Sequence, residues 1–280
     1  MSLIMTVIAG PVTGTILADV ISDLRIALPL AGAPDWLAPG AAYDLHLAGI
    51  APEAAEAAAR RAIGGAAIDV LVQPQAGRRK RVLVADFIGR RSEVAEITRR
   101  AMNGELDFAA ALAERVALLK GLPASVLDDA AARIRVTPGA RALVATARAS
   151  GVRTALVSGG FTVFAERVAE ELGFERVVAN RLDIVGGRIA GSVRSPIVTG
   201  DTKRDTLLAL AEECAVARSA TLAVGDGAND LPMLLAAGLG IAYHAKPAVA
   251  AAARWRIDHA DLTALLYAQG YRAGEIVGGA

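Results

Sequence analysis

Three short motifs and one lone carboxylate hold the residues of this 280-residue chain best suited to chemistry. Gly225-Asp226-Gly227-Ala228-Asn229-Asp230 follows an apolar run and precedes a helical pattern with Pro232 in its first turn. It gathers two carboxylates and an amide beside backbone N–H groups left over at a helix start, a set of hard oxygen ligands suited to Mg²⁺. The bland alternative is a Gly/Asn/Asp turn, which any strand-to-helix connection needs. Ser158-Gly159-Gly160-Phe161-Thr162 also directly follows an apolar run. A hydroxyl with two glycines ahead of a helix can wrap a phosphate, because glycine lets the backbone approach and a helix start favours an anion. Ser-Gly-Gly is equally an ordinary loop. Lys203, in Thr199-Gly200-Asp201-Thr202-Lys203, opens a helical pattern where a cation is electrostatically misplaced. A phosphate partner would explain it; a solvated surface lysine is the plain alternative. Asp86 ends the apolar run Val82–Ala85.

The elements that must position these residues are legible as short apolar runs alternating with helices. Val82–Ala85, Thr154–Val157, Thr221–Val224 and Gly240–Tyr243 read as buried strands. Gly139–Ser150, Phe164–Leu172, Lys203–Cys214 and Leu231–Ala237 read as helices between the later ones. That grammar predicts an α/β fold with a parallel sheet covered on both faces. Ligands in such sheets sit at the carboxyl ends of the strands, where three of these runs end in Asp86, Ser158 and Gly225-Asp226. Residues from Phe87 to Arg135 are purely helical in pattern, which predicts a cap inserted at about 87–135 over the strand ends. Residues 1–78 form a separate α+β module, with strands at Met5–Ala9, Tyr43–Leu47 and Ala67–Gln73 and helices at Ile16–Leu28 and Pro52–Ile63. Gln75–Arg81 reads as a solvated basic linker, and residues 79–280 as the second domain.

Bulk composition narrows the partners. Hydrophobic residues make up 54% and charged residues 21%, enough for a sizeable core, while aromatics are only 4%. Thirty basic against 29 acidic residues leave a net charge of +1, which gives no reason to expect nucleic acid. Cys214 is the single cysteine, so an intrachain disulfide and Cys-based zinc sites are excluded, and it reads as a packed thiol. No apolar run reaches the ~18 residues of a spanning helix, so no membrane partner is expected. The first basic residue is Arg25, so the apolar start reads as folded protein and the expected location is cytoplasmic. His244 reads as a loop residue, His259 as surface, Arg99-Arg100 as a solvated helix face, and Trp255 and Tyr267 as packing residues of C-terminal helices.

The order strand–Asp, strand–Ser-Gly-Gly, Lys, strand–GDGxND resembles the haloacid dehalogenase (HAD) superfamily of phosphatases. Ala101–Pro123 (AMNGELDFAAALAERVALLKGLP), Leu156–Phe161 (LVSGGF), Val224–Asp230 and Tyr243–Val249 (YHAKPAV) are similar to bacterial phosphoserine phosphatases over about residues 80–270. The N-terminal module stands where those enzymes often carry an ACT-like regulatory domain. The resemblance implies a HAD-like Rossmannoid core and a Mg²⁺-dependent hydrolysis of a small phosphorylated metabolite, O-phosphoserine, in serine biosynthesis. An aspartate attacks phosphorus and water then cleaves the aspartyl-phosphate. It implies Asp86 as nucleophile, and Ser158, Gly159, Gly160, Lys203 and Asn229 around the phosphate. Asp86 and Asp226 would hold the metal, with Asp230 as a further ligand or as the group orienting Lys203. A homodimer is the candidate assembly.

The chain departs from that family at its first motif, D-x-D-x-[ST], whose second Asp moves the proton of the leaving alcohol. The position two residues after Asp86 is Ile88. The interval from Asp86 to Ser158 is also short, by about one loop and one cap helix. Ala85-Asp86-Phe87-Ile88-Gly89 matches both the strand end and the later helix end, Leu-Ala-Asp-Phe-x-Gly in relatives, which predicts a deletion between two Ala-Asp repeats. Relatives carry, at the position of Ala113, an Arg that grips the substrate carboxylate; Arg115 is two positions away, on another part of the helix face. Weak or absent activity on phosphoserine is therefore expected. The alternatives are an inactive Mg²⁺- and phosphate-binding regulatory protein, a phosphatase for another small phosphomonoester, and a chain with no preserved site.

Overall fold

In a computed structural model that describes residues 2–10, 17–29, 31–86 and 108–278, the strands gather into two sheets. The first is built from β1 (Leu3–Ala9), β2 (Asp35–Ala38), β3 (Ala42–Leu47) and β4 (Ile68–Pro74), with α1 (Leu17–Ala27) after β1 and α2 (Pro52–Ile63) after β3. Its order is β2-β3-β1-β4 with every neighbour antiparallel, the split βαβ arrangement. Leu3, Met5 and Val7 of β1 point to one face and pack with Val20 and Leu24 of α1 and Ala55 and Ala59 of α2. That is the period-two alternation of a sheet meeting the apolar stripes of two helices. β2 has no counterpart in the sequence-based expectation, because four residues at a sheet edge are too few to show an alternation.

The second sheet has the order β11-β10-β9-β5-β6-β7-β8, formed by β5 (Val82–Ala85), β6 (Arg153–Phe161), β7 (Arg176–Val185), β8 (Arg188–Arg194), β9 (Thr221–Gly225), β10 (Leu239–Tyr243) and β11 (Trp255–Ile257). All neighbours are parallel except the β7–β8 hairpin. The helices are α3 (Phe108–Ala117), α4 (Ser125–Ala131), α5 (Ala140–Ala149), α6 (Thr162–Leu172), α7 (Gly200–Glu213), α8 (Leu231–Ala236), α9 (Pro247–Ala252) and α10 (Ala264–Ala268). β5 sits at the centre, and its four residues divide between two cores. Leu83 and Ala85 pack on one face with Leu143, Leu156 and Leu265; Val82 and Val84 pack on the other with Leu207, Leu210 and Met233. A strand buried on both faces must be apolar throughout, which is why Val82–Ala85 reads as a continuous run.

Several expectations change. Ser158-Gly159-Gly160 lies inside β6, at a bulge, and not after it. β7 and β8 were not expected, because Asn180, Arg181 and Asp183 break the apolar pattern of a hairpin that is exposed along much of its length. Gln75–Arg81 is solvated only in part, since Arg78 and Lys80 are drawn into the structure. Arg78 pairs with Asp44 (2.5 Å) and donates to the carbonyls of Tyr267 (2.9 Å) and Ala268 (2.8 Å), and Lys80 is buried with its ammonium on the carbonyls of Gly77 (2.7 Å) and Ser219 (2.9 Å). Trp255 lies in β11 and donates its indole N–H to the Val72 carbonyl (2.8 Å) across to the first sheet, while Tyr267 lies in α10. Of the cap, Phe87–Asp107, with Ile88 and Arg99-Arg100, falls outside the described residues; α3 packs on β8, and the turn after it exchanges backbone hydrogen bonds with Ile189 (2.8 and 2.9 Å).

The two sheets meet through buried polar groups. Asp69 of β4 accepts backbone N–H groups from Asp258 (2.7 Å), His259 (3.1 Å) and Ala260 (2.8 Å), after β11. Asp69→Ala leaves three donors unpaired at a buried contact and is expected to cost on the order of 3 kcal/mol, with Asp69→Asn milder. Urea unfolding measures it, and an unchanged midpoint for Asp69→Ala would show that this contact does not hold the sheets together.

Candidate active site

The register of the central strands decides which side chains share the carboxyl edge. Ala85 of β5 stands opposite Leu156 of β6 and Val224 of β9, and the Asp86 N–H continues the ladder to the Val224 carbonyl (2.9 Å). Asp86 is thus level with Val157 and Gly225, with Ser158 and Asp226 one residue further on. Neighbouring strands run about 4.8 Å apart, so these three tips open on one crevice.

α7 brings Lys203 to that crevice. Its start is set by Thr199, whose hydroxyl accepts from the Thr202 N–H (3.4 Å) while the Thr202 hydroxyl accepts from the Thr199 N–H (3.1 Å), a reciprocal cap. The helix start lies hard against the GDGAND loop: a Cβ on Gly200 would sit 2.9 Å from the Asn229 carbonyl oxygen and 3.0 Å from Pro232. Lys203 is fully buried, and its ammonium donates to Asp86 Oδ2 and to Asp230 Oδ1, the latter at 2.6 Å. The cation that looks misplaced at a helix start is therefore held by two carboxylates from two strand tips. Burial alone would lower its pKa; the charges of Asp230 and Asp86 reverse this and hold it above the ordinary lysine range.

Asp230 is itself buried and spends both oxygens. Oδ1 takes the Lys203 ammonium, and Oδ2 accepts the N–H groups of Asp226 (3.1 Å) and Gly227 (2.9 Å). A Cβ on Gly225 would lie 2.5 Å from the Asp230 carboxyl carbon, so only glycine lets that side chain fold beneath the turn. Burial pushes the Asp230 carboxyl up, against the opposing pull of the Lys203 charge. With Asp230 committed to Lys203 and the loop, Asp86 and Asp226 are the carboxylates that could share a cation. Among the described residues no group of three or more His, Cys, Asp or Glu gathers as a metal cage. Two carboxylates with water and phosphate oxygens is the manner in which Mg²⁺ is usually held.

On the β6 side Ser158 is buried, and its hydroxyl accepts the Gly160 N–H (3.0 Å). Gly159 and Gly160 are half-buried on the bulge, and Asn229 is half-buried in the short turn before α8. Lys246 of the YHAKPAV segment donates its backbone N–H to the Asp226 carbonyl (3.3 Å) and its side chain feels the Asp226 charge. The structure thus gathers Asp86, Ser158, Lys203, Asp226 and Asp230 around one edge. Arg115 is half-buried on α3, where its Nε donates to the Ala111 carbonyl (3.2 Å), and Ala113 is exposed. His244 adopts φ +43°, with its ring on the Ala260 carbonyl, and His259 is exposed. Asn180, buried behind the Ser-Gly-Gly bulge, has no place among the residues expected from the sequence; an Asn within a strand, where that residue is disfavoured, is the signal that points to it.

A family model described as haloacid dehalogenase-like hydrolase matches residues 63–235. The phosphoserine phosphatase of Streptomyces coelicolor is 46% identical over 194 residues, covering 69% of this chain and 47% of that protein, so the chain spans about half the length of this relative. The phosphoserine phosphatase of Lactococcus lactis is 44% identical over 184 residues, covering 66% of this chain and 85% of its own. Among solved structures, a HAD family hydrolase from Salmonella enterica serovar Typhi superposes with a TM-score of 0.81 at 28% identity, over 95% of this chain and 97% of that one. Together with the strand-tip geometry, these matches establish that the chain belongs to the haloacid dehalogenase-like hydrolase family.

Proposed function

We propose that this chain is a phosphomonoesterase of the phosphoserine phosphatase kind, acting on O-phosphoserine or a small phosphomonoester like it, with the first proton-transfer group missing. The observation that carries this is the buried Lys203 joining Asp86 to Asp230, because it sets a nucleophile-ready carboxylate beside a fixed cation in a crevice. An Asp86 oxygen attacks phosphorus, the P–O bond to the alcohol breaks, and the alkoxide leaves. Water then attacks the aspartyl-phosphate, releasing inorganic phosphate and restoring Asp86. The Ser158 hydroxyl, the Gly159-Gly160 backbone, Asn229 and the Lys203 ammonium hold the phosphoryl oxygens, and Asp230 holds Lys203 and the loop. Mg²⁺, held by Asp86 and Asp226, would neutralise charge on those oxygens.

The gap in the first motif shapes what the chain can turn over. Ile88 cannot give a proton to a departing serine alkoxide, and a positioned general acid is worth roughly 10²–10⁴ in rate. The aryloxide of an aryl phosphate leaves without that proton. Ala113 offers no cation to a substrate carboxylate, which weakens the preference for phosphoserine over other phosphomonoesters. If the loss at Ile88 is complete, the same site binds Mg²⁺ and phosphate without turnover. Residues 1–78 are proposed as an ACT-like regulatory module on a core formed by 79–280. No helix among the described residues is long and apolar enough to cross a membrane, and a cytoplasmic location is part of this proposal.

Three outcomes test the assignment. With Mg²⁺ present, kcat/KM for p-nitrophenyl phosphate is expected to exceed that for phosphoserine by about 10² or more in steady-state assays. Equal values would show that another group supplies the proton. Asp86→Asn is expected to abolish phosphate release from both esters, and EDTA to suppress it in the unmodified chain until Mg²⁺ is restored. Turnover that survives either treatment would remove Asp86 or the metal from the mechanism.

A further inference from the structure

β6 and β7 fall out of step at the site. Ser158 stands opposite Ala179 and Phe161 opposite Asn180, so Gly159 and Gly160 loop out of the ladder as a bulge facing Asn180. A bulge leaves backbone groups without ladder partners, and here a side chain takes one of them. The Asn180 Nδ2 donates to the Gly159 carbonyl (2.9 Å). In a planar trans peptide the C=O and the following N–H point in opposite directions, so holding the Gly159 carbonyl on Asn180 turns the Gly160 N–H the other way, towards the Ser158 hydroxyl at 3.0 Å. The other end of the same amide accepts the Val198 N–H (2.8 Å), immediately ahead of the Thr199 cap of α7, the helix that carries Lys203. Asn180 is only 1% exposed and Val198 only 4%.

We infer that Asn180 is a positioning residue: through one side-chain amide it sets the peptide that presents the Gly160 N–H and Ser158 to a phosphate, and ties that peptide to the start of the Lys203 helix. The inference rests on the phosphate-binding reading of this edge. Asn180 touches no phosphoryl group itself. Its donor end fixes a peptide orientation and its acceptor end fixes a helix entry, so loss of the amide separates two halves of one cradle while both cores stay packed. A merely structural asparagine would lower global stability and leave the folded fraction binding as before.

The test uses amide hydrogen exchange and inorganic phosphate titration with Mg²⁺, read by calorimetry and NMR on the full chain. In Asn180→Leu, which keeps the volume, exchange at Gly160 and Val198 is expected to speed up about tenfold or more and phosphate to bind about tenfold more weakly, with amide protection in β9 and α5 unchanged. Asn180→Ala is the second variant and is expected to behave alike. In the unmodified chain the Asn180 side-chain amide resonances shift with phosphate along the same isotherm as Gly160, which covers the case that neither variant folds. Unchanged exchange at Gly160 in a folded variant, or an Asn180 amide that phosphate does not perturb while Gly160 responds, overturns the inference. An unmodified chain that binds no phosphate overturns the functional reading instead, and the exchange data still decide whether Asn180 holds the bulge.

Discussion

A lysine ammonium with no access to water is costly, and the carboxyl edge of this protein is organised around settling that cost. An unpaired buried charge costs several kcal/mol, and removing one partner of a buried pair typically costs 3–5 kcal/mol. Lys203 therefore needs both Asp86 and Asp230 at hydrogen-bond distance, and Asp230 needs the two loop N–H groups that complete its own shell. These requirements pull the tip of β5, the turn after β9 and the start of α7 into one position. Gly200 and Gly225 permit the approach, since any side chain there would strike Asn229, Pro232 or Asp230. The convergence of Asp86, Lys203 and Asp230 at one edge is what that neutralisation requires.

The same requirement specifies β5. β5 needs four apolar residues to satisfy its two cores and one carboxylate to meet Lys203, and Val82–Asp86 supplies both.

The N-terminal sheet is seated by specific polar contacts. Asp69 closes over three backbone N–H groups after β11, Trp255 reaches the Val72 carbonyl, and Arg78 spans Asp44 and the end of α10. These bonds have direction, so they set one orientation between the sheets where apolar burial alone would permit sliding. The basic stretch 75–81 serves as a docking segment, a role its composition conceals because an arginine's partners lie far away in sequence.

The apolar runs at Val82–Ala85, Thr221–Val224 and Gly240–Tyr243, the helix at Pro52–Ile63 and the motifs at Ser158, Lys203 and Asp226 were all visible locally. A strand buried on both faces, an amphipathic stripe or a glycine-rich turn leaves its mark within a few residues. The hairpin β7–β8, the edge strand β2 and the part played by Asn180 were not visible, since each is defined by what lies across a sheet. Residue types and the apolar runs of the central strands followed from the sequence alone. That Lys203 is neutralised by Asp86 and Asp230 and that Asp230 is spent on the loop were decided by the tertiary structure, because charge pairing and burial depend on distances between segments that the chain order does not contain.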